Sequence, residues 1–178
     1  MTDTMEATVS FSHRMRPTCL MACLLLMGKP STTLKDPSMS IDLHVVLPKR
    51  PFPTLVEWQA AIARTELPIR LAPNADLALA RGAVTCYVGD KEATFEIHIE
   101  SPRELVNTYP KLATTVHSAA AVASFYWGGN ELDGACALGA AAGLVAAAHG
   151  IAYDPQADAI LSAGELKADA QELMNLRQ

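Results

Sequence analysis

The hydrophobic pattern of this chain begins as short alternating runs and ends in a long apolar block. Residues 41–47 (IDLHVVL) are rich in β-branched side chains and stop at a proline, which predicts a strand. Residues 54–64 carry apolar side chains at helical spacing. Thr54 and Glu57 stand at the two positions of a capping box, so we predict that a helix follows the first strand.

A hairpin is the clearest β-sheet signal. Residues 83–88 and 92–100 flank Gly89-Asp90, a dipeptide suited to a tight turn. In the second strand apolar and polar residues alternate, so one face should be buried and the other wet. The polar positions are Thr94, Glu96, His98 and Glu100.

The segment after the hairpin contains a short helix and an ambiguous stretch. Residues 103–109 are predicted to be helical, with Ser101 and Glu104 as a capping pair. Residues 114–127 have β-branched and aromatic side chains at their ends, which favours one long strand before Gly128-Gly129. The alanines in the middle leave a helix as the alternative.

Residues 135–148 form the least polar block, with no charge and nothing bulkier than leucine. We predict a helix capped by Asp133 and stopped at His149-Gly150. A ridge of small residues along it allows close packing. The ridge consists of Ala135, Gly139, Gly143 and Ala147. A block of this length is too short to span a bilayer, so we expect a core helix and no membrane span.

The elements add up to an α+β fold. A last helix begins after Ser162, with Glu165 at the capping-box position, and its predicted apolar stripe is Leu166, Leu173 and Leu176. Short extended runs occur at 69–71 and 151–153, and a helical turn is expected at 76–80. We predict a single domain in which a mainly antiparallel sheet packs against the Ala/Gly-rich helix and two or three other helices.

The first 38 residues differ from the rest. Residues 19–28 are apolar but lack the length of a membrane span and a small-x-small cleavage site. Met39 stands just before the first predicted strand and would be a natural start. We interpret residues 1–38 as a flexible or mispredicted leader and residues 39–178 as the domain. An export signal is the alternative.

Charge narrows the range of partners. The chain has 14 basic and 19 acidic residues, a net charge of −5. Residues 39–178 hold 10 basic and 16 acidic residues, a net charge of −6. There is no run of Lys and Arg to follow a phosphate backbone, so we expect no nucleic-acid partner. An acidic surface suits a basic protein partner.

Candidate chemistry is sparse. Cys19 and Cys23 have no second ligand pair at zinc spacing, and Cys86 and Cys136 lie in apolar patterns that predict buried thiols. We therefore expect neither a metal site nor a cofactor. The alternative is an enzyme in which histidines and glutamates meet in a cleft. Its candidates are His44, Glu96, His98, Glu100 and His117.

The C-terminal third carries a resemblance to a known type of protein. Its residues are YWGG at 126–129, ACALGAAA at 135–142 and YDPQ at 153–156, ending near 162–165. The stretch 116–165 resembles the C-terminal half of small uncharacterised bacterial proteins, some of which are similar to immunity proteins encoded beside antibacterial toxins. The resemblance implies a cytoplasmic, non-enzymatic protein that binds and blocks one toxin.

The leading functional hypothesis is therefore a bacterial immunity protein that inhibits a toxin by direct contact. Residues beside the Gly-Gly turn are the predicted contact surface, because aromatic anchors dominate binding energy. They are Trp127, Asn130, Glu131 and Asp133. Two alternatives stand beside it. One is the enzyme described above, and the other is an exported, envelope-associated protein anchored by the N-terminal apolar segment.

Overall fold

A computed structural model describes residues 40–48, 51–73, 75 and 81–176. The predicted leader, residues 1–38, lies outside the described residues, as does the helical turn expected at 76–80.

Seven strands and five α-helices make up the described part of the chain. The strands are β1 (Ile41–Leu47), β2 (Ile69–Leu71), β3 (Arg81–Val88), β4 (Lys91–Glu100), β5 (Ala121–Trp127), β6 (Ile151–Asp154) and β7 (Ala159–Leu161). The helices are α1 (Leu55–Arg64), α2 (Pro102–Thr108), α3 (Ala113–Val116), α4 (Glu131–Ala148) and α5 (Ala163–Asn175). A 3-10 turn, Pro110–Leu112, joins α2 to α3. The predicted α+β fold is confirmed.

The strands form one antiparallel sheet in the order β2-β3-β4-β5-β1-β6-β7. The β3–β4 hairpin turns at Gly89-Asp90, as predicted. Strand β5 then pairs with β4 on one side and with β1 on the other. This places β1 and β5, which are distant in sequence, side by side at the centre of the sheet.

One face of the sheet is apolar and lies under α1, α4 and α5. Among the side chains wholly buried on it are Phe95 and Phe125, whose rings pack 5.6 Å apart between centroids. Trp58 of α1 lies edge-on to Phe125 and donates its indole N–H to the carbonyl of Ala140 in α4 over 2.7 Å. The bond satisfies the polar atom of a buried tryptophan.

The small residues of α4 allow the close packing that the ridge predicts. A Cβ added at Gly143 would overlap Ile62 Cγ1 and would lie 3.0 Å from the Ile62 backbone nitrogen in α1. A Cβ at Gly139 would lie 3.0 Å from Leu67 Cδ1 and would overlap Ile69 Cδ1. The backbone of α1 therefore lies directly against α4 at Gly143, whereas side chains fill the space at Gly139.

The opposite face is covered only in part, by α2, the 3-10 turn and α3. Their apolar side chains meet the sheet in a second, smaller core. It consists of Val46, Leu105, Leu112, Val116, Val122 and Tyr153. Helix α2 is held by the predicted Ser101–Glu104 capping box, with Pro102 at its first turn. The remainder of this face carries polar side chains.

Several sequence predictions need correction. The segment 114–127 is not one long strand, because 113–116 is helical and only Ala121–Trp127 pairs with the sheet. Helix α4 begins at Glu131, capped by Asn130 and not by Asp133. At its end His149 takes the left-handed conformation predicted for glycine. Leu176 is 50% exposed and does not belong to the apolar stripe of α5.

The greater length of α4 also removes the argument against a membrane span. Its 18 residues are long and apolar enough to cross a bilayer by length and composition alone. In the described fold, 78% of the helix is buried against the sheet and the neighbouring helices. The absence of a membrane span therefore stays a prediction.

Candidate functional site

A solvent-open cavity lies on the polar face of the sheet, between the strands and helix α2. Its volume is about 460 Å³, within the range of roughly 300–1,000 Å³ typical of small-molecule sites. Strands β1, β3, β4 and β5 supply one wall, and α2 with the residue after it supplies the other. The lining residues are Asp42, His44, Arg81, His98, Ile99, Glu100, Glu104, Leu105, Thr108, Tyr109 and Tyr126.

Strand register places the sheet side chains of this cavity. Directly paired residues share a face, so each row of pairs across the sheet lines up its side chains. One row crosses five strands and consists of Arg81, His98, Ser124, His44 and Tyr153. The adjacent row brings together Glu96, Tyr126 and Asp42. Polar residues far apart in sequence thus meet on one face.

A hydrogen-bond network joins three central strands through Ser124. Its hydroxyl donates to Glu100 Oε2 over 3.0 Å, and His44 Nδ1 lies 2.8 Å from the same hydroxyl oxygen. The phenol of Tyr126 donates to the other oxygen of Glu100 over 3.2 Å. Ser124 is 0% exposed, so this network satisfies a polar group that would be costly to bury alone.

His44 is a buried residue of the cavity wall, and one of its ring nitrogens makes no hydrogen bond with a described residue. Its side chain is 6% exposed, and Nε2 makes no hydrogen bond with any described residue. The nearest acidic atom is Asp42 Oδ2, at 3.4 Å. The other oxygen of Asp42 accepts a hydrogen bond from the Gln156 side chain over 2.6 Å. Contact with His44 is the main cause that holds the pKa of Asp42 below its usual value, against an opposing effect of burial.

Two tyrosines complete the cavity walls. The Tyr109 ring lies 5.8 Å from the His44 ring between centroids, and the Tyr126 ring meets His98 edge-on at 5.5 Å. Burial raises the pKa of both phenols, and nearby carboxylates add to the effect, Asp42 at Tyr109 and Glu100 at Tyr126. Both phenols therefore stay protonated at neutral pH and can donate hydrogen bonds.

The structure brings together three of the five residues proposed as enzymatic candidates. His44, His98 and Glu100 line the cavity. Glu96 lies on the same face, with its carboxylate 3.5 Å from the His98 ring nitrogen. His117 stands apart, because it is exposed on the turn after α3 and lies 2.8 Å from the carbonyl oxygen of Thr114.

The predicted partner-contact residues lie at the turn from β5 into α4. Trp127 is only 6% exposed and packs closely against Gly134, so its ring belongs to the core and offers no surface anchor. Asn130 caps α4 through a hydrogen bond from Leu132 N. Asp133 accepts a hydrogen bond from Thr94 N over 2.9 Å and fastens α4 to the hairpin. A contact role for Asn130, Glu131 and Asp133 stays a prediction.

Sequence reasoning missed Asp42, Ser124 and Tyr126 as members of the site. A signal was present, because Asp42 and His44 occupy alternate positions of an otherwise apolar strand, as Ser124 and Tyr126 do in theirs. Alternation indicates a shared face within a strand but not which strands are neighbours. The β1–β5 pairing that unites the two sets spans about eighty residues of sequence.

The described cysteines take no part in the cavity. Cys86 and Cys136 are free and buried, as predicted. The neighbouring Cys136 thiol and burial raise the pKa of Cys86, which keeps it in the unreactive thiol form. Within the described ranges, no group of three or more His, Cys, Asp or Glu side chains is placed to hold a metal ion.

Comparison with known proteins gives no further assignment. No protein-family model, curated protein or solved structure matches this chain significantly. The functional argument therefore depends on the geometry of the cavity.

Proposed function

We propose that this chain is a bacterial immunity protein: a non-enzymatic, cytoplasmic inhibitor that neutralises a toxin by direct contact. The observation that carries the proposal is the charge of the open cavity. Its walls hold the carboxylates of Asp42, Glu100 and Glu104, against one guanidinium, that of Arg81. An acidic recess on a chain of net charge −5 suits a basic partner surface, whose complementary potential speeds encounter.

The state of Ser124 supports binding over nucleophilic catalysis. A serine nucleophile needs an exposed oxygen and a base that removes its proton. Here the hydroxyl is wholly buried and donates to Glu100, and His44 approaches through Nδ1. The network holds the wall of the cavity in one arrangement, which favours a preformed binding site.

Partner contact at the start of α4 forms a second part of the proposal. Asn130 is exposed, and Glu131 and Asp133 are partly exposed. Two acidic residues in the first turn of α4 add to the negative surface. Without an exposed Trp127, this turn contributes charge and hydrogen bonds to an interface.

The experiment is co-expression of the chain with the toxin encoded beside its gene, followed by measurement of complex formation and toxin activity. We expect a stoichiometric complex and loss of toxin activity. Glu100→Gln should weaken the complex, because Glu100 lines the cavity. Glu92→Gln is the matched control, since it changes the same residue type on the same strand outside the cavity. The proposal would be refuted if every neighbouring toxin kept its full activity in a stoichiometric excess of this chain.

One observation favours an enzyme as a second candidate. His44 and Glu100 both line the cavity and are joined through Ser124, so a histidine and a carboxylate stand together as candidates for general acid–base chemistry. The test is turnover of a metabolite mixture, followed by proton NMR, with wild-type protein and His44→Asn. Turnover by wild type alone would establish the enzyme, and its absence in both would remove it.

A further inference from the structure

The two edge strands of the sheet, β2 and β7, are equally short but end the sheet differently. At β2, the side-chain amide of Gln59 in α1 donates to the carbonyl of Ile69 over 3.1 Å and accepts from the N–H of Leu71 over 2.8 Å. One amide group thus supplies the donor and the acceptor that a neighbouring strand would provide. The edge at β2 is therefore closed to a further strand.

The edge at β7 has no such cover in the described part of the chain. Ala159–Leu161 pairs with β6 on one side, and the main chain of β7 makes no hydrogen bond with any other described residue. Its central residue, Ile160, shares a face with Tyr153 and is 51% exposed. Unpaired main-chain groups at a sheet edge form a template to which another strand can be added.

The two sides of β7 differ in charge. On the side of Ile160, Lys111 forms an ion pair with Asp158, so positive and negative charge are balanced there. The other side carries Asp154, which is paired with Ala159 and therefore points toward the face of the sheet that α5 covers.

Helix α5 adds further negative charge beside Asp154. Burial and then the charges of Glu172, Asp154 and Glu165 raise the pKa of Asp169, which shows that these carboxylates lie near one another. We call Asp154, Glu165, Asp169 and Glu172 the acidic border. A strand added at β7 would have one face beside the exposed Ile160 and the other beside the acidic border.

This charge selects the occupant of the edge. A second copy of the chain would pair β7 with β7 about a twofold axis, which brings two acidic borders together. Like charges placed close together destabilise such pairing, and the chain as a whole carries a net charge of −5. A strand with lysine or arginine on its α5 side would be attracted instead.

We propose that the open edge of β7 binds an extended, basic segment of a protein partner as an additional strand of the sheet. Apolar side chains of that segment contact Ile160, and its basic side chains alternate with them and face the acidic border. The inference goes beyond the immunity function, because it concerns a different surface from the cavity and a toxin bound at the cavity neither requires nor excludes it.

The test is an NMR titration that follows the backbone amides of β7 in the whole chain. The probe is an acetylated and amidated hexapeptide of alternating valine and lysine. One control peptide alternates valine and glutamate, which reverses the charge. A second control is the valine–lysine peptide with its amides N-methylated, which keeps the charge but cannot donate main-chain hydrogen bonds.

We expect saturable shifts and slower hydrogen exchange at the amides of Ala159–Leu161 with the valine–lysine peptide, and neither with the controls. No saturable shift with that peptide, or an equal response to the N-methylated one, would overturn the proposal. Protection of all three amides in the chain alone would also overturn it, because the edge would then be occupied already. Protection that grows with protein concentration would identify a second copy as the occupant.

A pair of variants locates the binding. Ile160→Lys places a positive charge at the edge and removes the apolar contact, so it should weaken peptide binding about tenfold or more. Val56→Lys on α1 is the matched control, because Val56 is also β-branched and exposed and the variant gains the same charge. Nitrogen–proton correlation spectra establish that each variant is folded. Equal affinity of the two variants would contradict the assigned edge, and the wild-type titration remains decisive if Ile160→Lys fails to fold.

Discussion

The two faces of the central sheet are built from neighbouring residues of the same strands, yet different forces hold them. On β5, Phe125 points into the apolar core, and Ser124 and Tyr126 on either side belong to the polar face, where Tyr126 lines the cavity. Packing of large side chains stabilises the first face. The second face depends on hydrogen bonds that must all be satisfied.

The difference indicates where function can reside. A close-packed apolar face leaves no room for a ligand, and its small-residue helix serves to bring backbones together. The polar face is covered only in part, by α2, the 3-10 turn and α3, so it keeps an open cavity.

The apolar face should show the largest loss of stability. Phe125→Ala removes a ring that is 0% exposed and packs between Trp58 and Phe95. We expect the free energy of unfolding to fall by about 3–5 kcal/mol, from lost burial and the cavity left behind. Urea denaturation measures it. The control is Tyr126→Phe, next on the strand, which loses one hydrogen bond and should cost only about 0.5–1.5 kcal/mol. Equal losses would contradict the contrast between the faces.

Close packing at α4 is tested by adding a single methyl group. Gly143→Ala places a Cβ against the backbone of Ile62, which cannot move aside as a flexible side chain would. Overpacking of this kind costs about 1–3 kcal/mol, which opposes the helix propensity of alanine, worth about 1 kcal/mol over glycine. We expect a net loss in thermal denaturation.

The matched control for Gly143 is Gly164→Ala in α5, where an added Cβ meets only Ser162 Oγ at 3.8 Å. Because no clash opposes it, the higher helix propensity of alanine should raise the melting temperature of Gly164→Ala slightly. A stabilised Gly143→Ala variant would show that α1 and α4 do not approach as closely as the structure has them.

The sequence predicts the elements that local signals control. Capping boxes at Thr54, Ser101 and Ser162 begin three helices where expected, and the Gly89-Asp90 turn joins the predicted hairpin. Local signals fail where tertiary contacts determine the secondary structure. Residues 113–116 carry β-branched side chains but turn helical, with Val116 buried in the second core. Strand β7 has no counterpart among the predicted elements, although β2, of the same length, does.

The candidate site was predictable only in fragments. The alternating polar residues of β4 were visible in the sequence, and they predicted only an ordinary solvent-exposed face. The row becomes a cavity wall because β5 pairs with both β4 and β1 and because α2 covers part of the same face. Neither long-range pairing nor coverage by a helix has a local sequence signal.

The polar face should lose an intermediate amount of stability when its network is cut. Ser124→Ala leaves His44 Nδ1 and Glu100 each without one buried partner, so we expect a loss of about 1–3 kcal/mol in urea denaturation. Ser118→Ala, on the exposed turn before β5, is the control and should change stability by about 0.5 kcal/mol or less. If the two serine variants matched, Ser124 would not hold the network together.

The smallest expected effect is the pH dependence of stability, which should have opposite signs for variants of Asp42 and Asp169. The pKa of Asp42 lies below its usual value of 3.8 in the folded chain, chiefly through His44. Its contribution to stability is therefore complete above pH 3.8 and is lost as the pH falls through the folded pKa. Asp42→Asn should shrink the acid-induced loss in melting temperature.

Asp169 on α5 provides the opposite case, because burial and then the like charges of Glu172, Asp154 and Glu165 raise its pKa. The stability of the folded chain therefore falls as the pH rises from 3.8 through the raised folded pKa of Asp169. Asp169→Asn should raise the melting temperature at pH 7, with the gain vanishing in acid, whereas the effect of Asp42→Asn should be largest at pH 7 and destabilising. Shifts of the same sign for both variants would show that the His44–Asp42 contact does not stabilise the polar face.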